Sequence, residues 1–581
     1  MSGGHGGYGA AGSPPVIGGI PGGRPPGTST ARGAGIGRAA VLIGANTMLA
    51  RAVGFGRQVV FAHTVQASCL GTAYTTANMV PNIIYDIVMG GALTAVVVPV
   101  LSGPARSGPH EREQVRQTSA ALLSWTVLLL VPVSAAVALS ARPLVSLLLG
   151  ATPGCPRPSM VELGARMLVV FAPQVLLYGL AVVLYGILQS HRKFAAPALA
   201  PVLSSLVVIA AYFGFGALGN GYQDMLRPVP TAAWVVLAAG TTAGVAALVA
   251  TPLIPALRLR LRLRPRLRFP AGVGARVRSL AVAGIATLVA QDASVAVVIV
   301  LANSRGGGGA LVLYSFAWAV FFVPYAVLAV PIATSAFPEL SARPDRFDAT
   351  TATSTRAVMV ASWLGVAGMA GTCIPMARVF QSHPGQAADA RQLAIALAAF
   401  APGLVGYGLI ANLSRVLYAD GRSRTSAAAV SGGWLAVIVA DLLIVPFVPP
   451  SWVVPSLGVG TTIGLTCSGV ALLVLVRRSR GPAALRGSGR AALAGLAGAL
   501  AGTAAGLGVG NAVRVGGFLP NVAVTLLASL VVLAVFLAFV AMADGGDLRA
   551  VVRSAAPGGR PPWAHRVREG SAPPANPHGP P

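Results

Sequence analysis

Acidic residues are scarce in this chain: 15 Asp and Glu stand against 42 Lys and Arg, and charged residues make up only 10% of its 581 positions. A soluble domain carries about a quarter charged residues, so an ordinary water-facing surface is excluded. Cysteine is rare too. Cys69, Cys155, Cys373 and Cys467 are widely scattered, with no CxxC pair or zinc-like spacing, and they read as small packing residues. The histidines (His5, His63, His110, His191, His383, His565, His578) form no metal spacing. Gly306-Gly307-Gly308-Gly309 lacks the Lys-Ser/Thr of a phosphate-binding loop. No catalytic residue, cofactor or firm metal site is expected, and the chain does not read as an enzyme. Runs of about ten residues with strict alternation, the mark of a membrane barrel, are also missing. The one alternating stretch, Leu-Arg over 257–268, fits a strand by period alone, but a solvated basic linker against anionic headgroups is the better reading. Basic clusters are not interleaved with aromatics, so the net charge of +27 does not point to nucleic acid.

What the chain has in abundance is apolar length. It is 55% hydrophobic with a mean hydropathy of +0.74. Apolar runs of about 20 residues recur, each long enough to cross roughly 30 Å of hydrocarbon, and backbone in lipid must then be helical. The expected fold is all-α and polytopic, with fourteen transmembrane helices near 38–66, 73–102, 118–149, 161–190, 194–218, 231–256, 274–302, 310–337, 354–379, 391–417, 425–447, 456–476, 490–512 and 520–543. Residues 1–35 and 544–581, rich in Gly, Pro and Ser, read as disordered tails, and the first lacks the apolar core of a cleavable signal. Loop charge is lopsided. Only Arg142, Arg157, Arg166, Arg227, Arg305, Arg378, Arg391 and Arg514 fall in loops on the side away from the N-terminus, so the positive-inside rule places both termini in the cytoplasm.

An internal repeat is visible. Phe171-Ala172-Pro173 and Tyr178-Gly179-Leu180 match Phe400-Ala401-Pro402 and Tyr407-Gly408-Leu409 at a constant offset of 229 residues. Pro99-Val100-Leu101-Ser102 is echoed by Pro338-Glu339-Leu340-Ser341. The unit is six helices, an even number, so two lobes (36–256 and 274–477) are expected to be related by a pseudo-twofold axis along the membrane normal. A basic linker at 257–273 joins them, and helices at 490–543 fall outside.

Arg51 and Arg57 lie inside the first apolar run, where a charge costs roughly 2.5–3.5 kcal/mol. Their six-residue spacing puts them about 120° apart on a helix, able to line the edges of one wide cavity. A guanidinium keeps its charge and its fork suits phosphate, so an internal site for an anionic cargo is expected. In helix two, Pro81 bends the axis and Gly90-Gly91 permit close helix approach, which suits gating. Asn82 and Asp86 follow the proline; Asp86 either pairs with Arg51 or Arg57 in one state of a cycle or is a static charge partner. Asp292 and Asp441 are intramembrane carboxylates of the second lobe.

NTMLARAVGFGRQVVFAHTV (46–65) and ANMVPNIIYDIVMGGALTAVVVPVLS (77–102) resemble the opening helices of the MurJ/MviN proteins. These are lipid II flippases of the MOP superfamily, which also holds MATE drug antiporters. The stretches 171–203, 325–345 and 401–425 resemble the same family, and the wording of GGALTAVVVP is most similar to its actinobacterial branch. The resemblance implies transport of undecaprenyl-pyrophosphate-linked peptidoglycan precursor from inner to outer leaflet by alternating access. It implies substrate contacts at Arg51, Arg57 and Asn82, with a lipid-tail groove formed by 490–543. Family members holding sodium would place it near Asp292, Asp441 and Thr461 or Thr462; the coupling ion is Na+ or H+. Tyr85 stands where many members have arginine, Gly90 where they have an acid, Trp318-Ala319 where an Asp-Arg pair is common, and Thr72 where an aspartate precedes helix two. Phosphate binding is then weaker, shifted to another residue such as Arg305, or lost. Two rivals stay open: a MATE-like small-molecule antiporter, and a transport-inactive scaffold for cell-wall synthesis proteins. The partners are accordingly lipid II or a related polyprenyl-pyrophosphate glycolipid, membrane lipids and, for the scaffold, that machinery.

Overall fold

A computed structural model describes residues 30–87, 109–191, 193, 195–225, 227–259, 265–268, 273–381 and 386–555. Gly90, Gly91 and the Pro99–Ser102 echo lie outside the described residues, as do 1–29 and 556–581. Residues from Asn46 onward form one compact unit.

The described residues are helical almost throughout, with no strand among them. In the first half come α1 (Thr30–Thr64), α2 (Cys69–Asp86), α3 (Pro109–Leu139), a short α4 (Ala141–Leu149), α5 (Arg157–Phe171), α6 (Pro173–Ser190), α7 (Ala195–Gly219) and α8 (Thr231–Leu257). In the second come α9 (Val273–Leu301), α10 (Ala310–Pro324), α11 (Val330–Ala342), α12 (Phe347–Gly371), a short α13 (Cys373–Phe380), α14 (Ala387–Phe400), α15 (Gly403–Ala419), α16 (Ser423–Ile444) and α17 (Val453–Arg480). α18 (Ser488–Ala512) and α19 (Phe518–Ala555) close the chain. Ten spans are long and apolar enough to cross a membrane, or up to twelve if two bent pairs each count as one, among the described residues. They answer one for one to the third through fourteenth expected helices. α1 and α2 lie where the first two helices are expected, but neither is among these spans, and 88–102 of the second lies outside the described residues.

Two expected boundaries move. Helix begins at Thr30, past the last proline of the N-terminal segment, and α19 runs on to Ala555, just short of Ala556-Pro557, where proline disfavours helix in the residue before it. Of the basic linker, Arg266 donates its N–H to the Ser124 hydroxyl and Leu267 accepts from the Trp125 indole, so its described part lies along α3 as coil.

The duplication shows in where helices break. α5 stops at Phe171 and α6 starts at Pro173; α14 stops at Phe400 and Pro402 precedes α15, with a 43° bend. A second matched pair was hidden in the sequence. α3 breaks at Ser140 and α12 at Thr372, each hydroxyl bonding back to the carbonyl four residues earlier (Ala136 at 2.6 Å, Gly368 at 2.8 Å). Each is followed three residues on by a proline, Pro143 or Pro375, whose missing N–H frees a carbonyl of the preceding helix. The second break bends by 62°.

One large core of buried apolar side chains runs through both halves, from Phe61 and Phe171 to Phe316, Phe321, Phe380 and Phe400. α18 and α19 pack against α12 and α13 through a separate cluster that includes Ala367, Ala499, Val532 and Phe536.

The cysteine reading requires correction. Cys69 and Cys155 form a disulfide with Cα atoms 5.7 Å apart, whereas Cys373 and Cys467 are free. Eighty-six residues separate the bonded pair, so no local spacing could announce it.

Candidate functional site

α2 begins at an N-cap, Ser68, whose hydroxyl accepts from Gly71 N–H at 3.1 Å. From there it presents Tyr74, Asn78 and Asn82, at four-residue spacing, to one side. Together with Arg57 and Gln58 of α1, Tyr178 of α6, Tyr212 of α7 and Thr241 of α8, they line a cavity of about 200 Å³.

The lining is ordered by hydrogen bonds. Thr241 donates to the Leu237 carbonyl at 2.7 Å, so its oxygen accepts from the Tyr74 hydroxyl at 2.8 Å. Tyr74 in turn accepts from Tyr212 at 3.1 Å. Tyr178 donates to the Asn82 carbonyl oxygen at 3.0 Å, which leaves the Asn82 amide hydrogens free to donate into the cavity. The wall therefore offers a half-buried guanidinium and a side-chain amide, with no carboxylate in the lining. Such a donor set binds oxyanions.

Arg51 lies six residues, about 9 Å, back along α1 and does not belong to that lining. It is exposed toward the second half, with its guanidinium 4.7 Å above the Phe322 ring. Just beyond, Tyr325 stacks on Tyr407 of α15 with ring centroids 4.0 Å apart. The Tyr325 phenol is within electrostatic reach of both Arg51 and Arg415. Arg415 is the half-buried third intramembrane arginine, and its guanidinium turns back along α15 to the Ala411 carbonyl, away from the nearer helix end. The signal that marked Arg51, a charge inside an apolar run, marks Arg415 as well.

Of the remaining expected residues, Asp86 and Asp292 come within electrostatic reach of each other, and the others are dispersed. Pro81 is buried within α2. Asp86 is exposed and enters none of the described ion pairs, so neither arginine holds it in this conformation. Arg305 is exposed in the π-helical turn Ala302–Gly306 and does not belong to the cavity lining, which takes Val312, Ser315 and Phe316 from the helix that follows. Asp292 and Asp441 are buried, and all four carboxylate oxygens lack a hydrogen-bond partner. Asp441 presses against α17 at Gly460, beside Thr461, whose hydroxyl donates to Leu457 O at 2.8 Å and meets the Tyr314 phenol. Thr462 turns instead to the Ala399 carbonyl at 2.7 Å. No group of three or more His, Cys, Asp or Glu converges among the described residues, so a cation there would rely on hydroxyl and carbonyl oxygens.

The family model described as lipid II flippase MurJ matches residues 61–541. The chain belongs to the MurJ lipid II flippase family. A lipid II flippase MurJ from Burkholderia cenocepacia is 26% identical over 454 residues, covering 76% of this chain and 84% of that protein. A probable lipid II flippase MurJ from Synechocystis sp. is 28% identical over 202 residues, 34% of this chain and 36% of that one. Among solved structures, a lipid II flippase MurJ in an inward closed conformation aligns with a TM-score of 0.68 at 18% identity, covering 86% and 98% of the two chains. An inward-facing MATE multidrug transporter of the MOP superfamily gives 0.58 at 15% identity, covering 75% and 95%. The family fold thus extends to the wider superfamily, while the family model singles out the flippase branch.

Proposed function

We infer that this protein is a lipid II flippase, a multi-pass membrane transporter for the peptidoglycan precursor. The observation that carries the reading is the family match over 61–541, joined to a cavity whose ionisable groups, among the described residues, are Arg57 and phenols. An antiporter for cationic drugs needs carboxylates in that wall, and the wall has none.

The size of the cavity restricts how the cargo is held. At about 200 Å³ it is smaller than the roughly 300–1,000 Å³ of pockets that enclose drug-sized ligands. It takes the pyrophosphate, and the sugar-peptide extends into the space between the halves. Arg57 and Asn82 hold the anion there; Arg51 and Arg415 meet it from the two sides of that space. Asp86 lies on the same helix beyond Pro81 and serves the return step, when the anion has left.

Both termini are cytoplasmic in this reading. The loop charge bias supports it, and so does the disulfide, because Cys69 and Cys155 then fall on the oxidising side of the membrane. Coupling runs through the unpartnered carboxylates Asp292 and Asp441, with Thr461 nearby as a hard oxygen donor, and the ion is Na+ or H+.

The test is outer-leaflet accessibility of lipid II in cells depleted of the protein. The exposed pool falls on depletion and returns with the wild-type chain but not with Arg57→Ala. An exposed pool that stays constant on depletion rules the reading out.

A further inference from the structure

The end of the molecule that the loop charges place outside the cell holds a junction that transport chemistry does not require. Among the described residues, six hydrogen bonds cross between the halves there. Asn303 Nδ2 donates to Thr76 Oγ1 at 3.0 Å and to the Leu148 carbonyl at 2.9 Å. Gly308 N–H donates to the Pro153 carbonyl at 3.3 Å, and Gly309 N–H to Thr72 Oγ1 at 2.7 Å. His63 meets the Val379 carbonyl at 3.0 Å, and Gln386 donates to Gln66 at 3.4 Å.

The four glycines 306–309 form the centre of this junction. Gly307 (φ +79°) and Gly309 (φ +88°) adopt left-handed backbone, which lets the turn lie flat on the first half. Gly308 sits directly on the disulfide: a Cβ there would stand 2.5 Å from Cys155 Sγ and 3.3 Å from Cys69 Sγ. Bonded sulfurs are about 2.05 Å apart. Reduced thiols must part to van der Waals distance, roughly 3.5–4 Å, and the space on Cys155's side is taken by Gly308. The turn and the bond fit each other.

We propose that oxidation of Cys69 and Cys155 builds the seat on which the 306–309 glycine turn latches, locking the extracytoplasmic end of the transporter shut. The two thiols lose two protons and two electrons, and a disulfide of the envelope's thiol-oxidising machinery accepts them and becomes a dithiol. Thr72 is the keeper of this latch: its hydroxyl donates to Ser68 O at 2.9 Å and accepts from Gly309 N–H. A transporter whose thiols are reduced holds this end loosely and leaks toward the outward-open state.

The test uses the full chain in phospholipid nanodiscs and reads amide hydrogen exchange in peptides covering 303–310. In the oxidised protein the Gly309 amide is protected. Reduction, or Cys69→Ser with Cys155→Ser, speeds its exchange about tenfold while α15 is unaffected. Gly308→Ala does the same with the disulfide intact, but adds little on a Cys69→Ala, Cys155→Ala background, where the sulfurs it strikes are gone. Gly516→Ala, which meets nothing within 4 Å, controls for general loosening. Free thiols at both positions in protein isolated without reductant, or exchange unchanged by reduction, overturns the proposal. The readout contains no lipid II, so its failure leaves the flippase reading standing.

Discussion

Arg51 of α1 and Arg415 of α15 address one phenol, that of Tyr325, from opposite halves of the molecule. The arrangement puts a cation of each half beside the space between them, and in the proposed reading the two make up for the arginines that many family members carry where this chain has Tyr85 and Ala319. An anion entering that space is met by both.

Arg415→Ala should therefore weaken binding of a polyprenyl-pyrophosphate glycolipid without changing expression or membrane insertion. Truncating one charged partner of such a contact costs about 2 kcal/mol or more, near thirtyfold in affinity. Arg415→Lys should recover part of this, since it keeps the charge but loses the fork. Titration of the purified variants with lipid II checks it; equal affinity for wild type and Arg415→Ala would remove Arg415 from the site.

Arg57→Ala and Arg51→Ala are both expected to abolish complementation of a flippase-depleted strain. Arg57→Lys should complement weakly. Full growth with Arg57→Ala, at wild-type protein levels, would contradict the anion-binding role of the cavity.

Tyr178→Phe probes orientation and not charge. Its hydroxyl holds the Asn82 carbonyl oxygen, so without it the amide is free to turn. One such hydrogen bond is worth about 1 kcal/mol, or near fivefold in affinity. Asn82→Asp should be far worse, because it sets a carboxylate among the donors. Binding constants for the two variants should fall in that order.

The sequence disclosed a good deal of this and for a clear reason. Span length and the charge of Arg51 and Arg57 are properties of one helix at a time, whereas the breaks before Pro173 and Pro402 fall inside helices that the sequence reads as continuous, 161–190 and 391–417. The contacts that complete the site belong to no single helix. Tyr74, Tyr212 and Thr241 meet only because three helices are rotated to face each other, and aromatic residues on apolar helices give no periodic signal that differs from packing. The same holds for Cys69 and Cys155, brought together where the start of α2 meets the loop before α5. Arg305 illustrates the converse: counted as a cation it resembled a substitute for the missing arginines, but the π-helical turn places it in the exposed loop. The Ser140 and Thr372 breaks were legible in principle, since a hydroxyl followed by proline three residues later occurs in both halves, but a single short motif in an apolar run does not announce a bend.

The last prediction concerns the carboxylate of the second half. Gly460 leaves room for Asp441, whose Oδ1 would lie 1.9 Å from a Cβ at that position. Gly460→Ala must displace the carboxylate, since α17 is packed on α16 and cannot retreat without losing buried contacts. If Asp441 takes part in ion coupling, this variant and Asp441→Asn should share one phenotype: binding of glycolipid retained, turnover lost, and any stabilisation by Na+ absent. Thermal unfolding of the detergent-solubilised protein with and without NaCl, against a choline chloride control, reads the last point. Gly432→Ala, on α16 with open space around it, should behave as wild type in the same assay. A sodium-induced shift that survives in both Gly460→Ala and Asp441→Asn would place the coupling ion elsewhere, with Asp292 the next residue to replace.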